Sequence, residues 1–222
     1  MLLESREWCK GCDRSLECKA PGIAWQWDTL SREPREMAPL VVVLGGAPTY
    51  HDDWYGVAFS GDAGEILRTD GKGSYYGTIK LNKNACIYRG HVVRCRSNGD
   101  ISIGEGKACN EYVKEDLFAL GTKFQGRKKA VLLLGKDAAK WGCRAFGLNI
   151  GSLKAGLAVQ GKVVGDWTLF FTYSPNQLLV DGRAAPQVED HLRLLDDWLH
   201  DQLPEVSEPN LVEAGPPPKQ GE

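Results

Sequence analysis

Four cysteines fall into two distant pairs: Cys9-Lys10-Gly11-Cys12 near the start, and Cys95 and Cys109 on either side of a glycine-rich stretch. Two thiolates separated by two residues can share one metal centre. A second pair closes that centre only if the fold returns to the N-terminus. Four thiolates suit a structural zinc or a 4Fe–4S cluster. They also suit unrelated buried thiols, because free cysteine packs as a small apolar residue. Seven cysteines, an odd number, point to metal or free thiols in a reducing compartment rather than to disulfides. Cys18, Cys86 and Cys143 are left over, and Cys18 is near enough to the first pair to be a rival ligand.

The elements that must position such groups are legible as alternating runs. Leu40-Val41-Val42-Val43-Leu44 is continuously apolar and ends in Gly45-Gly46, the pattern of a strand buried on both faces. Similar runs cover Ile87 to Val93, Ala130 to Leu134 and Trp167 to Thr172. Helical stretches lie between them at Gly61 to Arg68, Lys107 to Leu120 and Lys136 to Trp141. A last helix, Pro186 to Gln202, carries Val188, Leu192, Leu195 and Leu199 on one stripe. This alternation predicts an α/β three-layer sandwich with a central, mainly parallel four-stranded sheet flanked by helices. Ligands in such sheets bind beyond the carboxyl ends of the strands, so the informative loops follow Leu44, Val93, Leu134 and Thr172. Trp25 and Trp27 sit in a segment too irregular to assign.

The chain has 222 residues, 42% of them hydrophobic, enough for one large domain, expected over residues 1–203. Residues 204–222 are proline-rich and acidic and are expected to be a disordered tail. No run reaches the roughly 18 apolar residues that a bilayer requires. The first eight residues lack a basic-then-apolar signal pattern, so a cytoplasmic monomer without membrane contact is expected. Net charge is only −2, which gives no global sign of nucleic-acid binding. Locally, Lys10, Arg14 and Lys19 cluster near the first cysteines and Arg89, Arg94 and Arg96 surround Cys95. One basic face of this kind can hold a phosphate backbone, and equally can be solvated loop charge.

Taken in order, the loops resemble the family 4 uracil-DNA glycosylases, the iron–sulfur branch of the uracil-DNA glycosylase superfamily. Gly45-Gly46-Ala47-Pro48-Thr49-Tyr50-His51-Asp52-Asp53 followed by Gly56-Val57-Ala58-Phe59-Ser60-Gly61-Asp62-Ala63-Gly64 is similar to that family's first motif. Val92-Val93-Arg94-Cys95-Arg96 resembles its second strand and third cluster ligand, and Ala108-Cys109 the helix that carries the fourth. Leu134-Gly135-Lys136-Asp137-Ala138 matches an L-G-x-x-A turn, and Phe171-Thr172-Tyr173-Ser174-Pro175-Asn176-Gln177 the last motif.

The resemblance implies a 4Fe–4S cluster on Cys9, Cys12, Cys95 and Cys109, with a structural role beside DNA. It implies that Phe59 stacks on an extruded base and that Gly46, Ala47, Pro48, Thr49, Tyr50 and His91 contact that base. Arg94, Arg96, Ser174, Pro175, Asn176 and Gln177 are then expected on DNA. Cleaving an N-glycosidic bond develops charge on sugar and base, so a water-orienting acid and a donor to the leaving base are needed. Here the chain departs from the family pattern. Gly46 replaces an acidic residue, His91 an asparagine that reads uracil, Ser174 a histidine and Thr49 a glycine. An asparagine amide donates and accepts in one plane, which histidine does not reproduce. The expected catalytic groups become Asp52, Asp53, His91 and Ser174. The expected function is a DNA glycosylase for a bulky modified pyrimidine, such as a hydroxymethylated or glucosylated base of phage DNA, rather than for uracil. The alternatives are a catalytically silent DNA-binding or damage-recognition module on the same fold, and a zinc-containing structural protein.

Overall fold

In the computed structural model of the chain, residues 12–34, 37–68, 73–96 and 99–200 are described. Six strands form one sheet: β1 (Gln26–Trp27), β2 (Leu40–Gly45), β3 (Cys86–His91), β4 (Lys129–Leu134), β5 (Lys162–Val164) and β6 (Trp167–Thr172). Their order is β1-β3-β2-β4-β6-β5. The inner four pair in parallel, and β1 and β5 add short antiparallel edges. Every residue of β2, β3, β4 and β6 is buried, as expected of strands covered on both faces. The expected four-stranded sheet is therefore the centre of a six-stranded one. The two additions were missed because two- and three-residue strands carry too little periodicity to register. Trp27, unassigned in the sequence, pairs with Tyr88 in the first of them.

Nine α-helices are found among the described residues. They are α1 (Tyr50–Tyr55), α2 (Asp62–Arg68), α3 (Tyr75–Thr78), α4 (Leu81–Asn84), α5 (Ile103–Lys123), α6 (Gly135–Ala145), α7 (Leu153–Leu157), α8 (Pro175–Val180) and α9 (Ala185–Leu199). One face of the sheet packs on Val113 and Leu117 of α5, Ala138 and Trp141 of α6, and the partly buried Leu153 and Leu157 of α7. The other packs on Leu67 of α2, Tyr75 and Tyr76 of α3, and Val188, Leu192 and Leu195 of α9. Helix α5 starts four residues earlier than its apolar spacing suggests. Ser102 and Glu105 close a reciprocal capping box there, which satisfies amides that the first turn leaves unpaired. No helix of the described residues is long and apolar enough to cross a membrane.

Parallel pairing brings the carboxyl ends of four strands to one edge. Gly45 lies opposite His91, and Leu134 opposite Thr172. Past that register Val92 and Val93 donate to the carbonyls of Gly45 and Gly46, so the β2 and β3 loops leave the sheet together. The candidate site lies at this edge.

Candidate active site

The loop after β2 turns into α1 through Thr49, whose hydroxyl caps the helix by accepting from the Asp52 amide. Asp52 answers by accepting from the Thr49 amide at 2.8 Å through Oδ2. Its Oδ1 accepts from the Ser60 amide at 2.7 Å and the Ser60 hydroxyl at 3.1 Å. His91 Nε2 stands 3.4 Å from Oδ2. Burial by itself pushes this carboxyl up. The His91 ring and the Ser60 and Thr49 amides outweigh it and hold Asp52 well below the usual carboxylate range. Asp53 is also buried. It accepts from the Lys19 and Ala20 amides at 3.2 and 2.9 Å and pairs with Arg96 at 3.3 Å. Asp52 ties the pocket loop to its own helix, and Asp53 ties the N-terminal segment to it. Both carboxylates are engaged on both oxygens, by contacts that hold the fold.

Phe59 takes a left-handed backbone, φ 55°, unusual for a bulky residue and found where the surroundings enforce it. Gly64 supplies the enforcement: a β-carbon there would lie 1.8 Å from the Phe59 carbonyl oxygen, so only glycine lets α2 approach this closely. The Phe59 ring meets the His91 ring at 4.6 Å between centroids, tilted by 30°. Both His91 nitrogens are buried without a hydrogen-bond partner. A small cavity of about 40 Å³ remains, lined by residues including Gly45, Gly46, Thr49, Asp52, Phe59, His91, Leu134 and Ser174. That is space for a water or two, not for a base stacked on Phe59 while His91 stays in place.

A wider groove of about 420 Å³ opens beside it, sharing Gly46, Ala47, Thr49, Leu134, Ser174 and Asn176 with the small cavity. Its far wall carries Lys136, Asp137, Leu153 and Gln177, and its rim Pro48, Gly99 and Ile101. Two small residues form the divide. Gly46 has no side chain, and the Ser174 oxygen is held back as the cap of α8, accepting from the Gln177 amide at 3.3 Å. Gly135, at φ 84°, makes the sharp turn from β4 into α6, and a β-carbon there would meet Ser174 Cβ at 3.1 Å.

Several expected residues lie elsewhere. Arg94 is buried and ion-paired with Asp116, so its expected phosphate contact is withdrawn: the charge is used internally. Arg96 is partly exposed and lies over the Tyr50 ring, 5.7 Å from its centroid. Tyr50 itself lines neither cavity. It is 58% exposed and stacks on Trp54, correcting its expected place on the base. Asp53 lines neither cavity as well. Ser174, Pro175 and Asn176 reach both the site and its rim, and Asn176 and Gln177 are exposed.

Of the four expected cluster thiols, Cys9 lies outside the described residues. Cys95 and Cys109 are buried and Cys12 partly so. The Gly22 amide donates to Cys95 Sγ at 3.3 Å, and Cys18 also interacts with Cys95. Among the described residues no group of three or more His, Cys, Asp or Glu side chains is arranged to hold a metal ion.

The residue that sequence reasoning passed over is Asp137. It appeared only as a letter of the Leu134 to Ala138 turn, yet its side chain enters the groove beside Gly46. The empty acidic position at 46 was the available signal.

No curated protein matches the chain. The family model of the uracil DNA glycosylase superfamily matches residues 35–198, which hold strands β2 to β6 and the residues lining the groove, and the chain belongs to that superfamily.

Proposed function

We propose that the protein is a DNA glycosylase that hydrolyses the N-glycosidic bond of an extruded, bulky modified pyrimidine and leaves plain uracil in place. The observation that carries this reading is the low divide made by two small residues, Gly46 and Ser174, which line both the closed cavity beside Phe59 and the polar groove. A substituent such as a hydroxymethyl or a sugar has room there, among Thr49, Lys136, Asn176 and Gln177. Excision enzymes of this kind read an extruded base by its edge and by stacking. With His91 against Phe59, any base must displace the His91 ring to stack there, and an unsubstituted uracil finds no amide to pair with its edge.

The test is an abasic-site assay on duplexes carrying uracil, hypoxanthine, hydroxymethylcytosine or glucosylated hydroxymethylcytosine, read by alkaline cleavage. Release of a substituted pyrimidine with little or no uracil release supports the reading. Release of none, with duplex still bound tightly, replaces it by a silent recognition module. A 4Fe–4S cluster is a separate proposal, supported by the Cys9 to Cys12 spacing and the resemblance. Iron and acid-labile sulfide content measure it, and no catalytic step depends on it here.

A further inference from the structure

We propose that Asp137 is the catalytic carboxylate of this groove, holding the attacking water and facing the positive charge that develops on the sugar. The proposal rests on the glycosylase reading above and adds the group that performs the chemistry.

The first argument is position. A β-carbon placed on Gly46 would meet Asp137 Cβ at 3.0 Å and its Oδ2 at 3.6 Å. Any larger residue at 46 would displace Asp137. The carboxyl therefore borders the space where a residue-46 side chain would stand, inside the groove. Its backbone is placed firmly, by β4 and the Gly135 turn before it and the body of α6 after it.

The second argument is availability. Asp137 is half-buried, and among the described residues it has no hydrogen bond or ion pair. Asp52 and Asp53 have both oxygens engaged. A carboxylate with its lone pairs free is better able to orient water than one already held by donors on both oxygens. Burial raises the Asp137 carboxyl above its ordinary value. Lys136 and Lys140 partly offset this, and Asp100 adds to it. A raised value makes a better proton acceptor.

In the step itself the C1′–N bond breaks with its electron pair leaving on the base, and the water oxygen bonds to C1′. One water proton passes to the Asp137 carboxylate and from there to the released base. The carboxylate ends as it began.

The test uses two abasic-site duplexes: one with a pyrrolidine, cationic at neutral pH like the developing sugar, and one with a neutral tetrahydrofuran. The wild-type protein is expected to prefer the pyrrolidine duplex by about tenfold, the scale of one close charge pair. Asp137→Asn should abolish the preference while changing tetrahydrofuran affinity less than about twofold. Gly46→Ala, which pushes on Asp137 Cβ, should shrink it. On whichever base the wild type releases, Asp137→Asn should lower the single-turnover rate about 100-fold. A wild type without the preference, a preference that survives in Asp137→Asn, or an equal loss of both affinities overturns the proposal. If no base is released yet the preference exists and depends on Asp137, the glycosylase reading fails while the placement of Asp137 stands.

Discussion

The two helices that flank the site, α1 and α6, carry the same functional group in opposite circumstances. On the α1 side, Asp52 and Asp53 are buried and surrounded by donors that hold the loop and the N-terminal segment. On the α6 side, Asp137 is half-buried with no partner among the described residues. A carboxylate with its lone pairs filled contributes to stability, and one with them open is free for chemistry. Closeness to a recognisable motif does not decide between these roles. Hydrogen-bond occupancy does.

The comparison is most exposed to failure at Asp52. Asp52→Ala removes acceptors from three buried donors and a neighbour of His91, and should lower unfolding stability by about 3–5 kcal/mol, the range for breaking buried charged contacts. A urea titration measures it, and a shift under 1 kcal/mol would mean that the α1 side is as free as the other. The two arginines give a parallel contrast of slightly smaller size. Arg94→Ala removes the ion-pair partner of the buried Asp116 and should cost about 3 kcal/mol. Arg96→Gln should leave stability within ~1 kcal/mol and reduce the slope of log affinity against log salt by about one unit.

His91→Asn sharpens the comparison from inside the cavity. The shorter amide uncovers Phe59 and offers a donor and an acceptor to a uracil edge. Uracil release should rise about tenfold above wild type, a modest share of the discrimination that a hydrogen-bonding site can supply. No gain would place the barrier to uracil in the groove wall rather than at His91.

The smallest effect separates the two sides by pH. Asp52 is depressed in the fold, so the stability it contributes is present above its unfolded value of about 4 and is lost as pH falls below that towards its folded value. Asp137 is raised, so its charge opposes folding at neutral pH and the opposition fades as pH falls through its folded value. Asp137→Asn should therefore be neutral or slightly stabilising at pH 7, within about 0.5 kcal/mol. It should abolish a small rise in Tm on mild acidification and leave the loss at lower pH intact. Melting curves of both proteins across that range decide it.

These contrasts also show what could be read from the sequence. The four central strands were legible because burial on both faces leaves an uninterrupted apolar run, as in Leu40 to Leu44. The landmark loops were legible because glycines at 45, 46, 64 and 135 mark close approaches and a sharp turn. Which carboxylate is free was not legible, since the donors around Asp52 come from Thr49 and Ser60, and those around Asp53 from Lys19 and Ala20, a separate segment. The same holds for Arg94, whose partner Asp116 lies a helix away. Local spacing cannot report a partner supplied by tertiary packing. Gly46 and Asp137 were both visible as letters, and only the fold sets one against the other.

The two edge strands have a consequence for how the molecule meets copies of itself. A sheet edge with many unpaired amides and carbonyls is a template for a neighbouring chain. Here one side ends in the two residues of β1 and the other in the three of β5, which carries Lys162. Neither length supports a continuous ladder between molecules, and a lysine on the margin resists the approach of another strand. Among the described residues, both margins thus offer little template for sheet extension.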